Sequence, residues 1–170
     1  MKKVLVVGCP GVGKTTFARK LAKKTGLPLI HLDFYYHDKN FDYENDKIAW
    51  RKKVLQLCRR NEWVIDGNYS STFQERFKMA DTILFFDFPL HKRLYGIFKR
   101  RWEYRNKKRE DMPDTWRENI NWEFIKFVIT FHKYTRHKIK AVLNQKTNKK
   151  VIVFKNRRDA QKYLEHLKSE

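Results

Sequence analysis

KVLVVGCPGVGKTTFARKLAKK, residues 3–24, decides the fold. Val4–Val7 is an uninterrupted apolar run, as expected of a short strand covered on both faces. Gly8, Gly11 and Gly13 follow within a few residues and open backbone angles closed to side-chain-bearing residues. Lys14 to Lys24 then has helical character, with Gly26 placed to stop it. Strand, glycine-rich turn and helix together open a βαβ unit.

The turn itself, GCPGVGKT over Gly8–Thr15, fits G-x-x-x-x-G-K-[ST] at every fixed position, between the strand and helix that the pattern requires. Such a loop turns its N–H groups inward as an anion nest, and the following helix aims its positive end at the same point. The predicted ligand is therefore the phosphate chain of ATP, held by Gly8, Pro10, Gly11, Val12, Gly13, Lys14, Thr15 and Thr16. Lys14 would reach the β- and γ-phosphate oxygens, and the Thr15 hydroxyl would ligate Mg²⁺.

Outward from this loop, apolar runs alternate with helical patterns. Strands are predicted at 4–7, 28–33, 62–67, 82–88 and 150–154. Helices are predicted at 14–24, 46–60, after Pro89, at 116–143 and at 159–168. The second places Trp50, Val54 and Leu57 on one face. The fourth steps through Trp116, Ile120, Phe124, Phe127, Phe131 and Tyr134. This alternation predicts an α/β fold, a mainly parallel sheet with helices on both faces, in one domain over 1–170.

A phosphate loop of this kind needs a carboxylate at a neighbouring strand end for the magnesium shell. Asp66 and Asp87 both qualify, and Asp66 is favoured because Gly67 lets its loop approach a ligand. Asp33 closes the second strand in the same way and would bind or deprotonate an acceptor hydroxyl. Nine Lys or Arg residues lie between Lys92 and Arg109. A few of them, Arg93 and Arg101 first, then Arg105 and Arg109, would close over the transferring phosphoryl group, and the rest form a solvated basic face. The lid segment is expected at about 100–115. Arg136 reads as a surface arginine whose stem packs on aromatics.

These residues resemble a known group. The phosphate loop, IDGNYS at 65–70, ILFFDFP at 83–89 and the arginine-rich stretch beyond are similar to the adenylate-kinase-like P-loop kinases. Within them the likeness is closest to the bacterial topology-modulation (FlaR-related) proteins. The resemblance implies a three-layer P-loop sandwich with a five-stranded parallel sheet of order 2-3-1-4-5 and a small basic lid after the fourth strand. It also implies Asp66 as the magnesium carboxylate. One departure stands out: adenylate kinases continue the Asp-Gly with an aromatic, a proline and a monophosphate-binding arginine. Here Gly67 is followed by Asn68 and Tyr69, which would read a different acceptor.

Composition bounds the partners. The 170 residues are 41% hydrophobic and 34% charged, a globular balance. Lys and Arg number 39 against 19 Asp and Glu, a net charge of +20 that attracts polyanions. Nucleic acid is thus a partner by charge, without a helix-turn-helix, zinc-finger or RNA-binding signature. Cys9 and Cys58 have no metal-ligand spacing and fit a reducing cytoplasm. Cys9 is expected as a small filler of the loop. The apolar run at the start is too short for a signal peptide, and no stretch is long enough to span a membrane. Nothing in the sequence addresses oligomeric state. The leading expectation is a kinase with a small-molecule acceptor. A nucleic-acid-associated NTPase and a polynucleotide 5′-kinase are the alternatives.

Overall fold

In a computed structural model, Val4 to Val7 are each fully buried at the centre of the sheet. The structure describes all residues except 39, 104–120, 146–147 and 168–170. Five strands, β1 (Lys3–Gly8), β2 (Leu29–His31), β3 (Trp63–Asp66), β4 (Thr82–Phe86) and β5 (Lys150–Phe154), pair in the order β2-β3-β1-β4-β5. Every pairing is parallel, so all five strands finish at one edge. The register sets His31 beside Asp66, and Gly8 beside Phe86. This is the predicted α/β P-loop order.

The helices among the described residues are α1 (Lys14–Thr25), α2 (Leu32–Tyr36), α3 (Lys47–Cys58), α4 (Phe73–Met79), α5 (Leu90–Glu103), α6 (Trp122–Leu143) and α7 (Arg157–His166). A single-turn 3₁₀ segment, Ser70–Thr72, precedes α4. Caps explain several boundaries. Asp46 accepts from the Ala49 amide at 2.8 Å to start α3, and Asn156 accepts from Asp159 at 2.9 Å to start α7 two residues before the predicted position. Gly26, at φ 70°, ends α1 in the left-handed conformation expected of it.

Three expectations need correction. The second strand was predicted to run to Asp33, but it stops at His31, and Asp33 sits in the first turn of α2. Leu32 is fully buried there, and an acid is favourable in a first helical turn. Trp50, Val54 and Leu57 are buried as predicted, but the α6 face is rotated. Val128, Phe131, Ile139 and Val142 face the core, while Phe127 and Tyr134 are 39% and 58% exposed. A stripe read from large aromatics alone gave undue weight to residues that lie at the edge of the buried face. Trp116, Ile120 and most of the predicted lid, about 100–115, lie outside the described residues. Lastly, the α4 segment carries no helix prediction, yet it forms and buries Phe73, Arg76 and Phe77.

α5 packs directly on the phosphate loop. A Cβ added at Gly96 would collide with the Gly11 carbonyl, and one at Gly11 would meet Arg93 O and Ile97 Cγ1, each at 2.6 Å. Side chains on either side would force the helix off the loop.

Candidate active site

A cleft of about 790 Å³ opens at the strand ends, floored by Gly11–Thr16. The loop has the backbone its glycines permit: φ is 139° at Gly8, 79° at Gly11 and 90° at Gly13. Gly8 N donates to Asn68 Oδ1 at 3.1 Å, tying the β1 loop to the β3 loop. Lys14 Nζ folds back onto Cys9 O at 2.9 Å. Loss of water pulls the Lys14 ammonium below its ordinary pKa, with Asp66 and Asp33 pulling the other way. Pro10, Val12 and Thr16 also line the cleft, although Val12 is mainly core.

Thr15 Oγ1 donates to Asp66 Oδ2 at 2.7 Å. Asp66 is buried, and its other oxygen, Oδ1, has no hydrogen-bond partner among the described residues. His31 Nδ1 approaches Oδ2 at 3.5 Å. A hydroxyl and a buried carboxylate with one unsatisfied oxygen, beside a phosphate-type loop, form a donor set that fits Mg²⁺, a hard cation that takes oxygen ligands.

Asp87, the alternative carboxylate, is otherwise engaged. Arg136 grips it with two bonds, Nε to Oδ1 at 2.6 Å and Nη2 to Oδ2 at 2.8 Å, and Lys155 adds a third at 2.6 Å. Burial raises the Asp87 pKa, but the bonds from Arg136 and Lys155 outweigh it and bring it down to about 2. Arg136 is therefore no snorkelling surface residue: its head is committed to a buried acid.

The opposite wall is β2–α2 and the loop after β3. Tyr69 OH donates to Asp33 Oδ1 at 2.8 Å. Tyr69 has φ 28°, the one described non-glycine residue with positive φ. Aromatic packing on Tyr36 and Trp50, with ring centroids 4.8 Å away in each case, helps hold it there. Arg76 does the rest. Fully buried, it donates to the carbonyls of Gly67 (2.6 Å), Asn68, Tyr69 (2.8 Å) and Thr72 (3.3 Å). Burial lowers its pKa to about 10, so it remains a cation. Gly67, Asn68 and Tyr69 thus owe their conformation to a residue the sequence reading missed. The available signal was an arginine flanked by Phe73 and Phe77 on an apolar face.

The basic residues distribute differently from prediction. Arg93 is not in a mobile lid: it is 1% exposed, with Nη1 on Val128 O at 2.6 Å and 3.4 Å from Cys9 Sγ. It braces the loop from behind. Cys9 is buried beside it; burial raises the thiol pKa and Arg93 works against that. Arg101 is exposed on α5 and does not line the cleft, whereas Lys99 and Arg100 do. Arg105 and Arg109 lie outside the described residues. Arg157, unpredicted, reaches Gly11 O at 3.3 Å from the start of α7 and lines the cleft.

This phosphate loop on a 2-3-1-4-5 sheet defines a P-loop domain of the kinase-like type. The family model described as AAA domain matches residues 4–126, and the chain belongs to that family. Adenylate kinase of Thermotoga neapolitana is 30% identical over 81 residues, which cover 48% of this chain and 36% of that protein. The chain thus matches about a third of the length of such curated relatives. Among solved structures, shikimate kinase from Acinetobacter baumannii, in complex with shikimate, superposes with a TM-score of 0.61 at 20% identity, covering 97% of this chain and 92% of that one. Deoxyadenosine kinase from M. mycoides superposes at 0.51 and 13% identity, covering 95% and 94%. At these identities the likeness is one of fold. No helix among the described residues is long and apolar enough to cross a membrane.

Proposed function

We propose that the protein is a kinase that transfers the γ-phosphoryl group of ATP to a small acceptor bound between Asp33, Asn68 and Tyr69. The observation that carries this is the Thr15–Asp66 bond at the base of the phosphate loop, with Asp66 Oδ1 left open. Thr15 and Asp66 would hold Mg²⁺, which when bound neutralises charge on the β- and γ-phosphates. The loop amides and Lys14 hold the phosphates, and Lys14 exchanges Cys9 O for a phosphate oxygen. Lys99, Arg100 and Arg157 add positive charge to the cleft walls. Asp33, anchored by Tyr69, lies on the wall where a hydroxyl would lose its proton. The narrower likeness to the topology-modulation proteins is carried by Asp66–Ser70 and Ile83–Pro89.

The test is ADP release with ATP and Mg²⁺ across an acceptor panel, with Lys14→Ala as control. Turnover is expected to fall by about 100-fold or more in the variant, in line with the loss of a charge that acts on the transferring group. Undiminished turnover would refute the proposal.

One observation favours nucleic acid as an additional partner. Tyr95, Phe98 and Trp102 are 63%, 56% and 79% exposed along one stripe of α5, among Lys92, Lys99 and Arg101. Exposed rings among cations suit single-stranded bases and phosphates. Oligonucleotide binding that vanishes by about 200 mM salt, and is unchanged in Trp102→Ala, would reduce this to net charge alone.

A further inference from the structure

Asn68 is held at both its backbone and its side chain. Arg76 donates to its carbonyl and to that of Gly67, the latter at 2.6 Å, and Gly67 N donates to Val6 O at 3.4 Å. The Asn68 side chain accepts from Gly8 N at 3.1 Å. The loop after β3 is thus tied to β1 on both sides of Val7. These bonds also fix which way the carboxamide faces. A backbone N–H can only donate, so the atom turned to Gly8 is the oxygen, Oδ1. The amide nitrogen Nδ2 and its two hydrogens are left over from that bond, on a half-buried residue that lines the cleft.

The carboxamide stands where the phosphate loop meets the acceptor wall. On one side Lys14 Nζ rests on Cys9 O at 2.9 Å, one residue on from the amide that Asn68 holds. On the other side Tyr69, next in the chain, donates to Asp33 Oδ1 at 2.8 Å. A γ-phosphoryl group reached by Lys14 therefore lies close to the Gly8–Cys9 stretch, and an acceptor hydroxyl at Asp33 approaches it past Asn68. Asp33 and Asp66 are both near enough to act on the Lys14 charge. A neutral carboxamide can aim a donor at phosphate in such company, where a second cation would be drawn to the carboxylates.

We infer that Asn68 is a catalytic residue, its Nδ2 donating to a γ-phosphoryl oxygen as the group is transferred. This rests on the kinase reading above, in which Asn68 is only part of the acceptor wall. In the transfer the acceptor oxygen bonds to the γ-phosphorus and its proton passes to Asp33. The bond from γ-phosphorus to the β,γ-bridging oxygen breaks, and its electron pair leaves on ADP. Asn68 forms and breaks no covalent bond. It contributes a donor already fixed in place, so its dipole need not reorganise as charge shifts on the phosphoryl oxygens.

Calorimetry with ADP and with β,γ-imido-ATP, each with Mg²⁺, tests this without knowing the acceptor, because the two probes differ by the γ-phosphoryl group. Asn68→Ala is uncharged and loses the bond to Gly8. Asn68→Asp keeps an oxygen for Gly8 N and adds a charge. The amide hydrogens are what both variants lack. Each should lower the ratio of imido-ATP to ADP affinity by about tenfold or more, the size of one hydrogen bond to a charged group. The ratio is the readout, so a general weakening from the lost Gly8 bond cancels. Should Asn68→Ala not fold, Asn68→Leu, uncharged and close to asparagine in shape, takes its place. A residue that only held Gly8 would leave the ratio in Asn68→Asp at the wild-type value. A fall of less than about threefold in either the charged or the uncharged variant overturns the inference. Wild-type protein that binds neither nucleotide removes the kinase reading instead, so the two failures are distinct.

Discussion

Arg76 shows what one residue does here. Its cation is buried, with no carboxylate bonded to it among the described residues, and is stabilised by four backbone carbonyls of the loop that follows β3. Those bonds hold Tyr69 at φ 28° against a preference for negative φ, and Tyr69 in turn orients Asp33. Arg76→Met would keep much of the volume and remove the guanidinium bonds to the Gly67, Asn68 and Thr72 carbonyls, while Tyr69 O would keep those from Thr72. The expected loss is about 3 kcal/mol of stability, with weaker acceptor binding, measured by denaturant unfolding and by the KM for the acceptor. A variant as stable as wild type would show that the loop holds its shape unaided. Thr15 and Asp66, by contrast, were singled out by a spacing and a strand end, and the fold brings them within 2.7 Å of each other.

Among the elements, α5 and α6 are coupled to the phosphate loop from behind. α5 lies on the loop through the Gly96–Gly11 contact, and Arg93 on α5 bonds Val128 O on α6 while touching Cys9 in the loop. These two helices flank the segment predicted to be the lid. A shift of α5 toward the loop is therefore transmitted to it through the close Gly96–Gly11 contact. Gly96→Ala places a methyl on the Gly11 carbonyl, which is backbone and cannot swing aside. The expected cost is about 1–3 kcal/mol from overpacking, with a fall in ATP affinity. A thermal melt with and without ATP checks both. An unchanged melting temperature would show that α5 is free to move off the loop.

At the scale of the whole molecule, the ion cluster around Asp87 joins three distant parts of the chain: the end of β4, the middle of α6 and the residue after β5. The bonds from Arg136 and Lys155 hold the Asp87 pKa at about 2, below the ordinary carboxylate range. A depressed carboxylate stabilises the fold fully above its unfolded pKa, and that contribution is lost as pH falls through the folded value. Stability should therefore be flat above about pH 5 for this group and decline between about pH 4 and 2. Asp87→Asn should flatten that decline, as read by urea unfolding across the same range. Equal acid sensitivity in the variant would assign the decline to other carboxylates. The net charge of +20 acts over the same dimensions, and self-repulsion at low salt should steepen acid unfolding further.

The phosphate loop was legible because its features are local: Gly8 to Thr15 take their shape from their own backbone angles, and the two candidate side chains, Lys14 and Thr15, are adjacent. The sheet was legible for a related reason, since apolar runs such as Val4–Val7 and Ile83–Phe86 have few ways to escape water. The sequence alone thus determined the fold class, the loop and Asp66 as its favoured carboxylate. Tertiary structure decided the rest, because it turns on which distant groups meet. Arg93 and Arg136 look alike in sequence to any solvated arginine, yet one braces the loop against Val128 and the other captures Asp87 across 49 residues. Arg76 was silent until the loop it caps was seen folded around it. A charge in a chain has no fixed meaning until its partner is known, and partners far apart in sequence are set only by packing.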